Sequence, residues 1–174
     1  RYGTNSAVLT NLVYDIRGEG SLTTKHYIKL GGLAQNTTYY YEIVTSGSTD
    51  DNNEKHYSFK TGGAISPIAS KIVSGKVFKK GGGIPSNDAV VYLRLKDTNA
   101  SNDSGVSAWV STRTNSSGSW SIDINTIRKL DGSGLFSYSI SGDTIEVVVD
   151  GNEDGRGKKT ADTSSTSSID ITLE

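Results

Sequence analysis

Composition and periodicity together predict an all-β protein built from two tandem sandwich domains. Ser and Thr make up about a quarter of the 174 residues and Gly contributes 20, whereas Pro occurs twice and Met not at all. Ser and Gly favour turns, and Ser, Thr and Gly are poor residues for helix interiors. Between the turn clusters lie short β-branched and aromatic runs that alternate with polar residues, the period-2 signature of half-buried strands. The length suits one large or two ordinary β domains.

The totals also exclude several classes of function. With a net charge of −1, a pI near 6.2 and no basic run longer than two residues, nothing electrostatic points to nucleic acid or a membrane surface. No apolar run approaches the roughly 20 residues of a membrane helix. Cysteine is absent, which removes disulfides, Cys-ligated zinc and thiol chemistry. The chain begins at Arg1 without a methionine and is expected to be a processed chain or a piece of something longer.

The first domain is expected over residues 1–63, with strands at 8–16 (VLTNLVYDI), 25–33 (KHYIKLGGL), 37–46 (TTYYYEIVTS) and 55–61 (KHYSFKT). In the second run His26, Ile28 and Leu30 share one face and Lys25, Tyr27 and Lys29 the other, so His26 is expected to pack inside. In the third, Tyr39 and Tyr41 face one way and Tyr40 the other. The segments GLAQNT and GSTDDNNE supply the turns.

The stretch HYIKLGGLAQNTTYYYEIV resembles the fibronectin type III pattern of a strand, a Leu, a four-residue step to Thr, and a Tyr two further on. Here those are Leu33, Thr37 and Tyr39. The resemblance implies that Tyr39 is a corner tyrosine whose hydroxyl bonds to backbone a few residues upstream. It makes Tyr41 a core residue and leaves Tyr40 for a partner. YSFKTGG resembles the last strand of that family and RYGT the middle of its third. The variety whose third strand reads YGT also precedes metallophosphatase domains in some enzymes, but no metal-ligand set follows here. Domains of this kind run to about 90–100 residues, so residues 1–62 lack counterparts of the first two strands. The missing strands belong to the sheet opposite Tyr39. Without them apolar surface stays in water, at about 25 cal/mol per Å², beside an open strand edge. Three explanations stand: a fragment of a longer polypeptide, strands supplied by a neighbouring subunit, or a short variant.

Residues 64–70 read as a short linker, and residues 71–174 as the second domain. There, alternation places Val73, Gly75 and Val77 on one face, then Ala89, Val91, Leu93 and Leu95. Ala108 and Val110 follow, opposite Trp109 and Ser111. Trp120, Ile122 and Ile124 form the next set, then Ile145, Val147 and Val149, and last Ile169, Ile171 and Leu173. GKKTADT is a seventh strand, and NTIRKL (125–130) a helical turn. Seven short alternating strands at this spacing predict an Ig-like sandwich. VSGKVF, AVVYLRL, SSGSWSIDI and DTIEVVVDGNEDGRG resemble the carboxypeptidase regulatory-like and Cna-B-like domains of surface proteins. Some Cna-B-like domains carry a Lys–Asn isopeptide staple. No inward Lys faces an Asn on the last strand here, where Asp170 takes the polar face, so no staple is expected.

Chemistry has few places to sit. DGNEDG matches the first half of a calcium loop, with Asp150, Asn152 and Asp154 offering oxygens and Gly155 at the turn. The twelfth position is Ala161 instead of Glu, and three cations follow in RGKK, so a polar hairpin turn is the competing reading. The acidic segments 48–54 and 96–103 read as turns. His26 and His56 are too few for a metal centre, no nucleophile elbow appears, and the Gly-rich KKGGGIP lacks the Walker pattern. No enzyme and no required cofactor are expected; calcium is the one candidate ion. Asn36, Asn99, Asn102 and Asn115 head four glycosylation sequons, all in predicted turns. TSSTSS (163–168) is a candidate for O-linked sugar.

These features lead to a non-catalytic structural protein of the cell exterior, part of a surface layer, stalk or filament, whose partners are copies of itself or neighbouring domains joined at strand edges. The alternative is an accessory module that binds carbohydrate or protein through exposed aromatics, with Tyr27, Tyr40, Tyr92 and Trp109 as candidates.

Overall fold

The structure, a computed structural model, describes residues 1–66, 68–165 and 168–174. It is all-β, and the chain divides into two compact units, Arg1–Ala64 and Ile65–Glu174. The linker read at 64–70 straddles that division, and its Pro67 lies outside the described residues.

In the first unit, β1 (Tyr2–Gly3), β2 (Thr38–Tyr41) and β5 (Tyr57–Lys60) form an antiparallel sheet with β2 in the middle. A separate hairpin pairs β3 (Ile43–Thr45) with β4 (Ser48–Asp50). Gly47 sits at φ +92° in its turn, a conformation open to Gly without a Cβ clash. The segment 48–54, read as a turn, therefore begins as a strand. The runs 8–16 and 25–33 do not become strands. Their pairing is limited to bridges such as Tyr2 with Asn11 and to single bonds such as Ile16 N–H to the Tyr27 carbonyl, 3.1 Å. Alternation can specify which residues would share a face, but a strand exists only where a neighbour runs alongside to complete its ladder.

The carboxylate of Asp15 organises these two runs instead. One of its oxygens accepts from the Arg17 backbone N–H (2.9 Å) and Arg17 Nε (2.7 Å). The other accepts from Arg17 Nη2 (2.8 Å) and the Tyr27 backbone N–H (2.7 Å). The paired Arg17 guanidinium holds the Asp15 carboxyl well below the usual carboxylate range. His26, expected inside, is instead about half exposed, with Nδ1 3.4 Å from Asp15. Ile28 is exposed as well.

The second unit is a two-sheet sandwich. One sheet has the order β11-β10-β7-β8, from β11 (Arg156–Asp162), β10 (Thr144–Asp150), β7 (Val90–Lys96) and β8 (Val110–Arg113). The other has the order β12-β6-β9, from β12 (Ile171–Thr172), β6 (Ile72–Phe78) and β9 (Ser119–Asp123). Val91, Leu93, Leu95, Ile145, Val147 and Val149 of the first sheet pack against Val73, Val77, Trp120, Ile122, Ile171 and Leu173 of the second side, all buried. The inward set is the one alternation selects. A short 3-10 turn at Ile124–Thr126 carries Ile124 into the same core. The last strand ties the sheets together. Leu173 N–H donates to the Phe78 carbonyl at the end of β6, and Glu174 exchanges backbone bonds with Arg156 at the start of β11. Gly75 permits this approach, because a Cβ there would run into the Ile169 carbonyl.

Candidate functional site

Two surfaces gather the residues singled out in the sequence. The first is the sheet of the first unit. Register places Tyr41 beside both Tyr2 and Tyr57, and Tyr39 beside Phe59, so five rings share one face. Tyr39 stacks on Phe59 at 5.7 Å and Tyr41 on Tyr57 at 5.3 Å, with Tyr2 tilted against Tyr39 at 6.1 Å. Offset and tilted pairs at these distances are favourable ring geometries. Tyr39 is buried; the other four rings are only half-buried, and Tyr39 is the one buried hydrophobic residue among the described residues of this unit. Tyr40, on the opposite face, is also half-buried, opposite Gly3 and Ser58.

The loop before β2 is latched from two sides. The Tyr39 hydroxyl accepts from the Ala34 N–H at 2.9 Å, five residues upstream. Thr61 was not singled out by the sequence. Its hydroxyl donates to the Ala34 carbonyl (2.6 Å) and accepts from the Thr37 N–H (2.9 Å). Thr37 in turn donates its hydroxyl to the Gln35 carbonyl, and Leu33 is half-buried. These bonds satisfy both backbone groups of Ala34, which otherwise lie outside any ladder.

The second surface is the outer face of the four-stranded sheet. Trp109 and Tyr92 stand on it, 42% and 40% exposed. The Arg94 guanidinium lies over the Trp109 ring, 4.5 Å from its centroid. Arg94 Nε also donates to Glu146 on the neighbouring strand at 2.7 Å. The pair lies on β7 and β10, 52 positions apart, and only the antiparallel register Glu146↔Arg94 joins them.

At the β10–β11 connection, Asn152–Asp154 forms a 3-10 turn and Gly155 takes φ +102°. Asp154 is bonded to Lys79 Nζ at 2.9 Å and accepts from the Ser86 hydroxyl at 2.8 Å. Lys79, with Ser86, holds its carboxyl below the ordinary value. Asp150 accepts from the Asn152 N–H (3.0 Å) and faces Arg156 at 3.4 Å. The carboxylates thus answer protein cations and backbone, as in a polar hairpin turn. Among the described residues no three His, Cys, Asp or Glu side chains gather as a metal would require. His56 Nδ1 lies 3.8 Å from Glu42, and His26 lies beside Asp15.

Asn36, Asn99, Asn102 and Asn115 are all exposed and lie in or beside turns and bends. Asn36 takes φ +52°. Asn102 Nδ2 bonds the Ser139 hydroxyl, and Asn115 Oδ1 accepts from the Ser117 and Ser119 N–H groups. The serine-rich run 163–168 includes Thr166 and Ser167, which lie outside the described residues. No helix among the described residues is long and apolar enough to cross a membrane. Compared with protein-family models, curated proteins and solved structures, the chain matches none.

Proposed function

We propose that this chain is a non-catalytic structural component of the cell exterior, part of a surface layer, stalk or filament, joined to neighbours by strand addition at its first unit. The sheet β1-β2-β5 carries this reading. Tyr2, Tyr41, Tyr57 and Phe59 remain half-buried, and the other sheet described in that unit is the two-stranded β3–β4 hairpin, whose Asp50 accepts from the Tyr57 hydroxyl. β5 has a strand on one side only, whereas β1 is partly capped by Asn11. An added strand would complete the ladder at β5, and its side chains would cover the rings. The exposed sequons fit an exterior setting.

Sedimentation velocity and electron microscopy over a range of concentrations test the proposal. The expected result is concentration-dependent assembly that Phe59→Lys abolishes without altering tryptophan fluorescence, since Trp109 and Trp120 both belong to the second unit. A chain that stays monomeric at every concentration with a stably folded first unit would falsify it.

A further inference from the structure

We propose that the outer face of the four-stranded sheet binds a short neutral glycan. The inference goes beyond the assembly reading and does not depend on it. Register sets side chains in rows across this face. Thr160 of β11, Glu146 of β10 and Arg94 of β7 stand in one row, and Trp109, just before β8, ends it against Arg94. Thr144 and Lys96 form the adjoining row. Apart from Trp109, which flanks it, these residues help line an open recess of about 410 Å³, a volume within the range of small-ligand sites.

The chemistry of the rows selects the ligand. Arg94 lies over the indole and fixes its orientation, while much of Trp109 still faces solvent. The C–H groups of a pyranose ring carry slight positive charge and pack on such an electron-rich ring. Arg94 and Glu146 are planar groups already locked together at 2.7 Å. Their remaining N–H donors and carboxylate lone pairs can meet adjacent hydroxyls with little further loss of side-chain entropy. The threonine hydroxyls both donate and accept, as a sugar hydroxyl requires. Glu146 cancels the charge of Arg94 within the row, which leaves Lys96 of the adjoining row as the uncancelled charge of the recess lining, able to donate to neutral hydroxyl oxygens. An apolar ligand would have to strip water from Arg94, Glu146 and Lys96 without replacing their bonds. A polyhydroxylated, uncharged ligand satisfies every group present.

The test is an array of neutral and acidic glycans probed with the intact chain, followed by calorimetric titration of the strongest neutral hit. Neutral oligosaccharides should bind with Kd below about 1 mM and change the fluorescence of exposed Trp109. Trp109→Ala should weaken binding at least about tenfold. Thr160→Arg, which fills the recess from β11 while leaving the indole in place, should weaken it as well. Both variants should keep the parent unfolding midpoint, which shows that the sheet is intact. No neutral hit on the array, binding confined to acidic glycans, or unchanged affinity in both variants would overturn the proposal.

Discussion

The two units use similar local patterns and reach different ends. Among its described residues the second encloses a core of 17 buried hydrophobic residues drawn from both its sheets and the connections between them. The first buries one hydrophobic residue, Tyr39, and holds its long connection with the carboxylate of Asp15. Alternating sequence is present in both. A closed core follows only when two alternating faces meet; in the first unit Tyr39 alone of the five rings is buried.

Four measurements probe this contrast. The largest effect is expected in the second unit. Leu93→Ala removes a fully buried side chain and should cost about 3 kcal/mol, read by tryptophan fluorescence in denaturant. Leu12→Ala in the first unit, at an exposed position, should stay within about 0.5 kcal/mol, read by hydrogen exchange in that unit because both tryptophans lie in the second. Equal losses would mean that the first unit has a core of its own.

Asp15→Ala comes next. It removes the carboxylate that accepts from Arg17 and the Tyr27 N–H and should destabilise the 15–27 segment by about 2 kcal/mol, seen as weaker protection from hydrogen exchange at Tyr27. The same group sets a pH dependence. Its folded pKa is depressed, so its contribution is fully present above the unfolded value near 4 and is lost as pH falls toward the lower folded value. Protection of the Tyr27 amide, measured against the intrinsic exchange rate at each pH, should therefore fall in acid in the parent chain, and the variant should lose that acid step.

Tyr39→Phe deletes one bond to a backbone N–H and should cost about 1 kcal/mol in the first unit, leaving the second unchanged. The smallest effect belongs to Asp154→Asn. Lys79 is about half exposed, and an amide oxygen can still accept from the buried Ser86 hydroxyl, so a loss of about 0.5 kcal/mol is expected by thermal unfolding in EDTA. A loss that appears only with added calcium would instead assign Asp154 to an ion.

The second unit was almost wholly readable from the chain. The strand faces named by alternation supply Val77, Val91, Leu93, Ile122, Val147 and Leu173 to the core, whereas Ile127 and Phe136 enter it from connections that alternation does not name. In the first unit the resemblance carried by Leu33, Thr37 and Tyr39 implied a bond between the Tyr39 hydroxyl and upstream backbone, and Ala34 N–H makes one, yet the strands expected at 8–16 and 25–33 did not form. Nor could the sequence announce the Arg94–Glu146–Trp109 row, whose members come from two strands and the residue before a third and meet by register. Asp15 was likewise hidden, since its second oxygen reaches a backbone N–H twelve residues away.

The sequence by itself determined which side chains share a face, where turns interrupt the strands, and that the protein is all-β. These follow from the period-2 geometry of an extended chain and from the conformations Gly, Asn and Asp accept. Tertiary structure alone decided which faces are covered, which alternating runs become strands and which charged groups become neighbours. Each of those depends on a second segment at a particular register, and a local pattern carries no information about its partner.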